Sequence, residues 1–313
     1  MPTNLHVVLG STGGAGNAIA RALHAAGLEV RAVNRSGTAD LPEGISRRSA
    51  DIGTAAGIAT AVDGAAVVYM AAQPAYHRWS EEFPAMLHNV IDGTAAVGAK
   101  LVMVDNLYGY GPGPAAISED TPEQASDRKG AVRRQMTTSL LAAHQSGKLQ
   151  VAIGRASDYY GPHADNSAIT ALAIEPAAAG KTIRWTGSLD AQHSVAYLPD
   201  IARAYVTLGT SDKADGETWI LPHGKPVAGR QFLELVNGVL AQPVKTGVVS
   251  TMMLRMAAPF HKISKEMLGI VYQWTDSFVV DDSKFQRVFG PFESTPLDDS
   301  IRITIDWYRT HSG

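Results

Sequence analysis

The chain of 313 residues contains no cysteine, so disulfide bonds, thiolate metal sites and a cysteine nucleophile are all excluded. Its formal net charge of −3 gives no bulk attraction for nucleic acid or for an anionic membrane surface. No window approaches the roughly 18 uninterrupted apolar residues of a membrane span, and the first residues lack the long apolar stretch of a signal peptide. We therefore expect a cytoplasmic protein that binds neither nucleic acid nor membrane.

The chain also lacks the short motifs of several enzyme classes. It has no Gly-x-Ser-x-Gly sequence and no paired-carboxylate motif, which disfavours a hydrolase. No pair of histidines has zinc-ligand spacing with a third ligand, so we predict no metal site. The hydrophobic content of 45% is nevertheless sufficient to bury a large core in one or two domains.

Short apolar runs alternate with helical patterns through the first half of the chain. Apolar residues recur at helical spacing in residues 16–27, 83–99 and 132–147. Strands that alternate with helices indicate right-handed βαβ units and a parallel sheet. The sequence therefore predicts an α/β fold with a doubly wound parallel sheet, whose strands include residues 5–9, 29–33, 65–71, 100–104 and 149–154.

Three glycines at three-residue intervals follow the first predicted strand and open the first predicted helix. Gly10 would permit a tight turn, Gly13 would let the backbone approach a pyrophosphate, and Gly16 would let helix and strand pack closely. The helix N-terminus adds free N–H groups and the positive end of its dipole. The sequence therefore predicts a dinucleotide-phosphate site formed by Gly10, Ser11, Thr12, Gly13, Gly14, Ala15 and Gly16.

The end of the second predicted strand favours NADP(H) over NAD(H). An NAD site usually carries an acid about 20 residues after the glycine turn, where it binds the ribose 2′-hydroxyl. Asn34, Arg35 and Ser36 stand there instead, so no carboxylate repels a 2′-phosphate and an arginine can bind it. The alternative is that Arg35 is only a solvated loop charge. At the end of the third predicted strand, Asp51 and Ile52 are candidate neighbours of the adenine, although a surface aspartate explains Asp51 nearly as well.

The pattern changes after about residue 156, where prolines and turn residues become denser and no internal repeat is visible. We predict a dinucleotide-binding domain over residues 1–156, to which later segments such as 190–210 return. Residues 157–313 are predicted to form mainly a small, mixed C-terminal lobe that binds the substrate.

These glycines, together with several later motifs, resemble those of the extended short-chain dehydrogenase/reductase family, which includes sugar-nucleotide epimerases and dehydratases. The similarity extends over nearly the whole chain and includes "NVIDGT" (89–94), "GRASDYYGP" (154–162), "AYLPDIARAYV" (196–206), "DDSKFQRVFG" (281–290) and "IDWYR" (305–309). The resemblance implies a Rossmann domain, a small substrate lobe and a cleft between them. It also implies that the segment after the fourth strand lies beside the cofactor, with Ala71, Ala72 and Gln73.

The catalytic residues of that family are missing from the corresponding positions. The resemblance implies a Ser or Thr, a Tyr that trades a proton with the substrate oxygen, and a Lys four residues later that lowers the pKa of the tyrosine. Asn106 occupies the serine position, Lys129 the tyrosine position and Arg133 the lysine position. No tyrosine in the chain has a lysine four residues after it.

Three hypotheses follow for the proton donor. In the first, Lys129 replaces the tyrosine; helical spacing places it on one face with Arg133, and a neighbouring cation and partial burial both lower a lysine pKa. In the second, a tyrosine from the loop after the fifth or sixth strand enters the cleft, such as Tyr108 or Tyr159. In the third, the chain binds a dinucleotide without catalysis and acts as a regulator.

The expected function is that of an NADP(H)-dependent oxidoreductase of atypical short-chain type, acting on a carbonyl or hydroxyl group of a small molecule. In this scheme Asn106 orients the substrate oxygen, and Arg133 tunes the proton donor or holds the ribose. The alternatives are a nucleotide-sugar epimerase or dehydratase and a non-catalytic NADP(H)-binding regulator. The resemblance also implies a homodimer formed through helices near residues 82–98 and 131–146.

Overall fold

Seven parallel strands form the central sheet of the computed structural model, which describes residues 4–113, 116–260 and 262–311. The described residues form fifteen strands in all. In chain order the strands are β1 (Leu5–Leu9), β2 (Glu29–Asn34), β3 (Ser46–Ser49), β4 (Val67–Met70), β5 (Lys100–Asn106), β6 (Ala116–Ile117), β7 (Val151–Ala156), β8 (Tyr159–Tyr160), β9 (Ile183–Thr186), β10 (Gln192–His193), β11 (Ala196–Tyr197), β12 (Glu217–Ile220), β13 (Val227–Ala228), β14 (Thr246–Val249) and β15 (Val279–Val280). Their order in the central sheet is β12-β7-β5-β4-β1-β2-β3, and every neighbouring pair is parallel. The predicted doubly wound sheet is confirmed.

The strand order reverses between β1 and β4, from which the chain builds the sheet outward in both directions. In open α/β sheets, ligands bind beyond the carboxyl ends of the strands at such a switch point. Gly10 directly follows β1 and Ala71 directly follows β4. Two segments predicted to contact the cofactor therefore lie at this edge of the sheet.

Six helices cover the two faces of the sheet, and the described residues form twelve α-helices in all. They are α1 (Gly14–Ala25), α2 (Ala55–Val62), α3 (Trp79–Ala96), α4 (Arg128–Gln145), α5 (Glu175–Ala178), α6 (Leu198–Thr210), α7 (Gly229–Gly238), α8 (Thr251–Ala257), α9 (Lys262–Leu268), α10 (Tyr272–Thr275), α11 (Ser283–Phe289) and α12 (Leu297–His311). Buried side chains of α2, α3 and α4 pack on one face, and those of α1, α6 and α11 pack on the other. Among the helices described, none has both the length and the apolar character needed to cross a membrane.

The strands of the sheet are apolar on both sides because both faces are covered. In β5, Leu101 and Met103 join the core under α3 and α4, whereas Val102 and Val104 join the core under α1 and α6. This alternation follows from the two-residue period of a strand. Each fully buried side chain of this kind stabilises the fold by about 1.5–3 kcal/mol, so the two layers hold the carboxyl edge of the sheet in place.

A separate core holds the C-terminal lobe, where Trp185, Phe232 and Trp274 pack among buried side chains of β9, α7 and α12. Strands of this lobe pair two by two, as β9 does with β14 and β10 with β13. The predicted small mixed lobe is thus confirmed. Later segments also return to the first domain, because β12 forms an edge of the central sheet and α6 packs against α1. The division between residues 156 and 157 stays a prediction, and the outer ends of both ranges lie outside the described residues.

Candidate active site

The glycine turn between β1 and α1 depends on glycine for close backbone contacts. Gly10 has a φ of 90°, and a Cβ there would lie 2.6 Å from backbone atoms of Ala72. A Cβ on Gly16 would collide with the carbonyl oxygen of Gly10. Gly13 differs, because the nearest atom to a Cβ there is 3.6 Å away, an ordinary contact. The fold itself does not require glycine at residue 13, but close approach of a phosphate would.

The N-terminus of α1 is available to an anion. Gly13 precedes the helix with extended backbone, and no side chain caps the first turn. Its free N–H groups and positive dipole end suit a phosphate. Thr12 and Gly13 are exposed at the tip of the turn, whereas Ser11 is buried and Ala15 is partly buried.

Gly14 has a role that its spacing does not predict. A Cβ at this residue would lie 2.7 Å from the carbonyl oxygen of His163 and 2.9 Å from the side chain of Leu198. His163 follows β8 and has a φ of 61°, which is rare for a residue with a side chain. Gly14 therefore allows the segment after β8 to pack directly against the start of α1.

The end of β2 leaves an arginine free beside the glycine turn. The Nδ2 of Asn34 donates to the hydroxyl of Ser11 at 3.0 Å, and its Oδ1 accepts from the Ser36 hydroxyl at 2.8 Å. Arg35 is exposed, and its guanidinium makes no hydrogen bond or ion pair with any residue that the structure describes. The structure thus places Asn34 and Ser36 in a fixed turn and leaves Arg35 free to bind a ligand.

The other predicted cofactor residues lie on two neighbouring segments. β3 ends at Ser49, two residues before Asp51, whose Oδ1 accepts from the N–H of Gly53 at 3.0 Å. Ile52 is buried in the core. Ala71 and Ala72 continue from β4 against the glycine turn, and Gln73 is exposed after them.

The first turn of α4 fixes the position of Lys129. The carboxylate of Asp127 caps this helix and accepts from the backbone N–H groups of Lys129 and Gly130, at 2.9 Å and 3.0 Å. Such a cap stabilises a helix by about 1 kcal/mol. The side chain of Lys129 consequently leaves the helix at a defined point, on the side that faces Tyr76.

Lys129 is nearly enclosed, with 5% of its surface exposed. Its Nζ donates to the carbonyl oxygen of Tyr76, lies 3.1 Å from the Glu266 carboxylate and lies 3.9 Å above the Tyr76 ring. Burial lowers the pKa of Lys129, and the nearby Glu266 opposes that shift. The ammonium group is therefore desolvated but still paired.

Arg133 lies one helical turn further along and is also buried. Its Nη1 is 3.0 Å from the Asp105 carboxylate, and its Nη2 donates to the side-chain oxygen of Gln73 at 3.4 Å. The guanidinium also lies 4.4 Å from the ring of Trp79. Arg133 thereby joins α4 to the ends of β4 and β5.

The carboxylate of Asp105 is shared between two arginines. Its second oxygen accepts from the Nε of Arg155 at 2.9 Å, and Arg155 also donates to Glu123 at 2.7 Å and to Thr137 at 2.6 Å. Burial by itself would lower the pKa of Arg155, but the Asp105 and Glu123 carboxylates outweigh it and raise the pKa. Both Nε and Nη2 of this buried guanidinium have protein partners, so we assign Arg155 a structural role.

Asn106 ends β5 at the predicted serine position. Its Oδ1 accepts from the backbone N–H of Tyr108 at 3.1 Å, which fixes the amide plane. Within the described ranges its Nδ2 makes no hydrogen bond. An amide N–H at this place can donate to a substrate oxygen.

The two candidate tyrosines flank the same region. Burial, followed by the neighbouring Tyr76 and Asp158, raises the pKa of Tyr108. Burial also raises the pKa of Tyr159 to about 12, against the opposing effects of Tyr205 and Arg133. Both hydroxyls are therefore weaker acids than a free tyrosine.

The predicted residues Asn106, Lys129 and Arg133 are thus brought together at the carboxyl ends of β4 and β5. Sequence patterns did not indicate several of their partners. Asp105 could have been suspected, because a carboxylate inside an apolar strand needs a buried partner. Tyr76 and Glu266 carried no such signal, since each meets Lys129 only through folding.

The chain matches the NAD dependent epimerase/dehydratase family over residues 6–221. A search of curated proteins gave no match. Solved structures similar to it include a nucleoside-diphosphate-sugar epimerase from Pseudomonas aeruginosa, which is 19% identical with a TM-score of 0.78. That alignment covers 98% of this chain and 97% of the other.

Two further structures are similar over 98% of this chain, both with a TM-score of 0.78. One is the UDP-glucose 4-epimerase of Thermus thermophilus in complex with NAD, 20% identical over 99% of its length. The other is DesIV, a dTDP-glucose 4,6-dehydratase from Streptomyces venezuelae with NAD and TYD bound, 18% identical over 97% of its length. At these identities the likeness shows the shared fold.

Proposed function

The chain belongs to the NAD dependent epimerase/dehydratase family, and from this premise we propose that it is an NADP(H)-dependent oxidoreductase. Its substrate would be a small molecule with a carbonyl or hydroxyl group. One observation carries the proposal: the glycine turn, the free Arg35 and the buried Lys129–Arg133 face all lie beyond the carboxyl ends of neighbouring parallel strands. Ligand sites of open α/β sheets lie at this edge.

The dinucleotide would be held by the glycine turn and by the residues after β2. Gly13 leaves room for a phosphate, and Asn34 stands where an acid would bind an unphosphorylated ribose. The free guanidinium of Arg35 supplies a charge-assisted contact for a 2′-phosphate. We therefore propose NADP(H) rather than NAD(H), with Asp51 and Ile52 near the adenine and Gln73 near the nicotinamide ribose.

A fluorescence titration with NADPH and NADH tests the cofactor assignment. We expect tighter binding of NADPH, and Arg35→Ala should weaken NADPH binding by about 10–100-fold, because a hydrogen bond to a charged group contributes about 1.5–3 kcal/mol. NADH binding should not change. Arg184→Ala, at an exposed arginine of the other lobe, is the control. Equal affinity for both dinucleotides would contradict the NADP(H) assignment. Binding of neither, by protein shown to carry no retained nucleotide, would remove the oxidoreductase proposal.

Within this proposal Lys129 is the proton donor. Burial lowers the pKa of Lys129, whereas burial raises those of Tyr108 and Tyr159, so the ammonium group is the better acid near neutral pH. The bound nicotinamide would supply the hydride. Asn106 would hold the substrate oxygen through its free amide N–H. Arg133 would fix Gln73 and keep a positive charge beneath the site.

Replacing Lys129 by methionine tests this role. We expect Lys129→Met to lower kcat by about 10²–10⁴-fold, the usual contribution of a general acid, with NADPH affinity unchanged. Arg128→Met removes an exposed neighbouring cation and should leave kcat intact. If Lys129→Met keeps full turnover while Tyr108→Phe or Tyr159→Phe loses it, the tyrosine hypothesis replaces this one.

A sugar-nucleotide epimerase or dehydratase is the second candidate, favoured by the names of the structural neighbours. Such an enzyme uses its cofactor transiently and should retain it through purification, so nucleotide released by denaturation distinguishes it from a reductase. A non-catalytic regulator would bind NADPH yet transfer no hydride to any carbonyl tested. The homodimer through α3 and α4 also stays a proposal, which light scattering would check.

A further inference from the structure

Asp158 and His193 form a polar pair that the proposed function does not use. Asp158 lies just beyond β7, and His193 ends β10 in the C-terminal lobe. The Nε2 of His193 is 3.0 Å from the Oδ2 of Asp158. The imidazole is stacked on Trp274, with ring centroids 4.5 Å apart, and lies 5.8 Å from the ring of Phe278. Its plane is therefore fixed.

The contacts of the imidazole determine how many protons the pair holds. The Nδ1 of His193 is 3.0 Å from the carbonyl oxygen of Gln273, which can only accept, so Nδ1 carries a hydrogen. A bare Nε2 would then face a bare carboxylate oxygen across 3.0 Å, and two acceptors do not meet at that distance. One proton must lie between them, on the ring or on Asp158. In either form the pair has no net charge.

The titratable groups near the pair include a second histidine, which is uncharged. His223 interacts with His193. The Nδ1 of His223 lies 2.6 Å from the Leu221 carbonyl oxygen, and its Nε2 accepts from the Ser157 N–H at 3.0 Å. Burial lowers the pKa of His223 to about 4, although Asp282 opposes the shift, so this ring is neutral. The hydroxyls of Tyr76, Tyr108, Tyr159 and Tyr272 also interact with Asp158. The charged groups that act on these same hydroxyls are Arg133, Asp105, Asp127 and Glu266.

The pair is also placed to reach a ligand. The imidazole is 3% exposed, whereas the Asp158 side chain is 19% exposed. The second oxygen of Asp158, Oδ1, makes no hydrogen bond with any described residue. It lies among the same tyrosines that flank Asn106 and Lys129.

We propose that Asp158 and His193 share one proton and form a second acid of the site, which can act beside Lys129. Asp158 would deliver this proton to an oxygen of the bound substrate, with His193 as the positioning residue behind it. The identity of that oxygen as a carbonyl oxygen rests on the proposed function. The shared proton itself does not.

The transfer balances in atoms and charge. A hydride from the proposed cofactor would form a C–H bond at the carbonyl carbon, and the π electrons of the C=O bond would move to oxygen. The shared proton would move onto Asp158, whose O–H bond would turn from Nε2 towards the substrate and pass the proton to that oxygen. NADPH would thereby be oxidised to NADP⁺ and the carbonyl compound reduced to an alcohol. The pair is left as a carboxylate and a neutral imidazole, and a proton from solvent restores it.

Two-bond ¹H–¹⁵N NMR of the full chain, labelled at histidine, tests the shared proton without a substrate. We expect the Nε2 of His193 to show a protonated or proton-sharing shift at neutral pH. Asp158→Asn should convert it to a bare nitrogen, because the new amide donates to Nε2 and keeps the contact. His193→Asn assigns the signals by their loss, and Asp190→Asn, at an exposed aspartate, is the control. A bare Nε2 in the natural chain together with an ionised Asp158 carboxylate, read from the ¹³Cγ shift of aspartate-labelled protein, would overturn the proposal.

Turnover then tests the catalytic part separately. Lys129→Met should retain residual activity, and adding Asp158→Asn should lower it at least about tenfold further, with NADPH affinity unchanged. If the double variant is no slower than Lys129→Met, the pair is not an acid of this reaction. If no carbonyl compound is reduced by the natural chain while the NMR result holds, the proposed function fails and the shared proton stands.

Discussion

Neighbouring glycines of the turn after β1 serve different purposes. A Cβ on Gly13 would meet nothing closer than 3.6 Å, whereas a Cβ on Gly14 would meet the His163 carbonyl oxygen at 2.7 Å. Gly13 therefore leaves room for a ligand, and Gly14 leaves room for another part of the chain. Gly13→Ala and Gly14→Ala each add one methyl group. Comparing the two variants therefore distinguishes an effect on binding from an effect on folding.

Gly14→Ala should lower the free energy of unfolding by about 1–3 kcal/mol, the usual effect of forcing an extra methyl into a packed contact. Gly13→Ala should leave stability nearly unchanged but weaken NADPH binding at least tenfold, or about 1.4 kcal/mol. Chemical denaturation and the fluorescence titration measure the two effects. If Gly13→Ala is less stable than Gly14→Ala, these roles of the two glycines are wrong.

At the scale of elements, one carboxylate joins β5, β7 and α4. Asp105 contacts Arg133 of α4 and Arg155 of β7, and all three side chains are buried. A lone buried charge is costly, so each partner is stable in the core only because the others are present. This cluster holds the Lys129 helix against the ends of the strands.

Asp105→Ala should destabilise the fold by about 3–5 kcal/mol, because it leaves two buried guanidinium groups without their shared partner. Asp190→Ala, which breaks an exposed ion pair with Arg230, should cost less than about 1 kcal/mol. Urea unfolding of both variants and the natural chain gives the comparison. Equal, small losses would mean that Asp105 does not clamp these elements.

At the scale of the whole molecule, histidines buried in a neutral state couple folding to pH. Burial lowers the pKa values of His6, His163 and His223, the last to about 4. In the unfolded chain a histidine has a pKa of about 6.5. For His223 the unfolded state binds more protons between pH values of about 4 and 6.5, so the contribution of His223 to stability falls as pH falls through this range and changes no further below it.

His223 alone should contribute a loss of about 2 kcal/mol between neutral pH and pH of about 5. Unfolding free energies measured across this range should therefore decrease, and His223→Gln should flatten the slope even though it is less stable at neutral pH. His88 is exposed, so His88→Gln should leave the slope unchanged. A slope that is the same with and without His223 would rule out this coupling.

Much of the fold was predictable because it depends on local patterns. The five predicted strands are confirmed within a few residues, and the first helix begins at Gly14 rather than residue 16. The strand period, the helical period and the glycine spacing each extend over only a few residues, so they can be recognised in the sequence. The third strand was misjudged by two residues because SRRS is short and polar, and β3 is an edge strand.

The candidate site was predictable only in part. The positions of Asn106, Lys129 and Arg133 came from family resemblance and helical spacing, and the structure places them at one edge of the sheet. The electrostatic partners of these residues could not be predicted from the sequence. Asp105, Glu266 and Tyr76 belong to other segments of the chain and contact them only in the folded protein. Which proton donor acts stays a prediction.

The sequence by itself determined the α/β class, the order of strands and helices in the first domain, and the glycine turn. Each of these depends on the spacing of residues that are close together in the chain. The tertiary structure alone decided that Gly14 faces His163, that Asp105 bridges two arginines, and that Asp158 meets His193. Burial and proton sharing arise between residues far apart in the chain. No local pattern contains them, because desolvation and pairing exist only once the layers have packed.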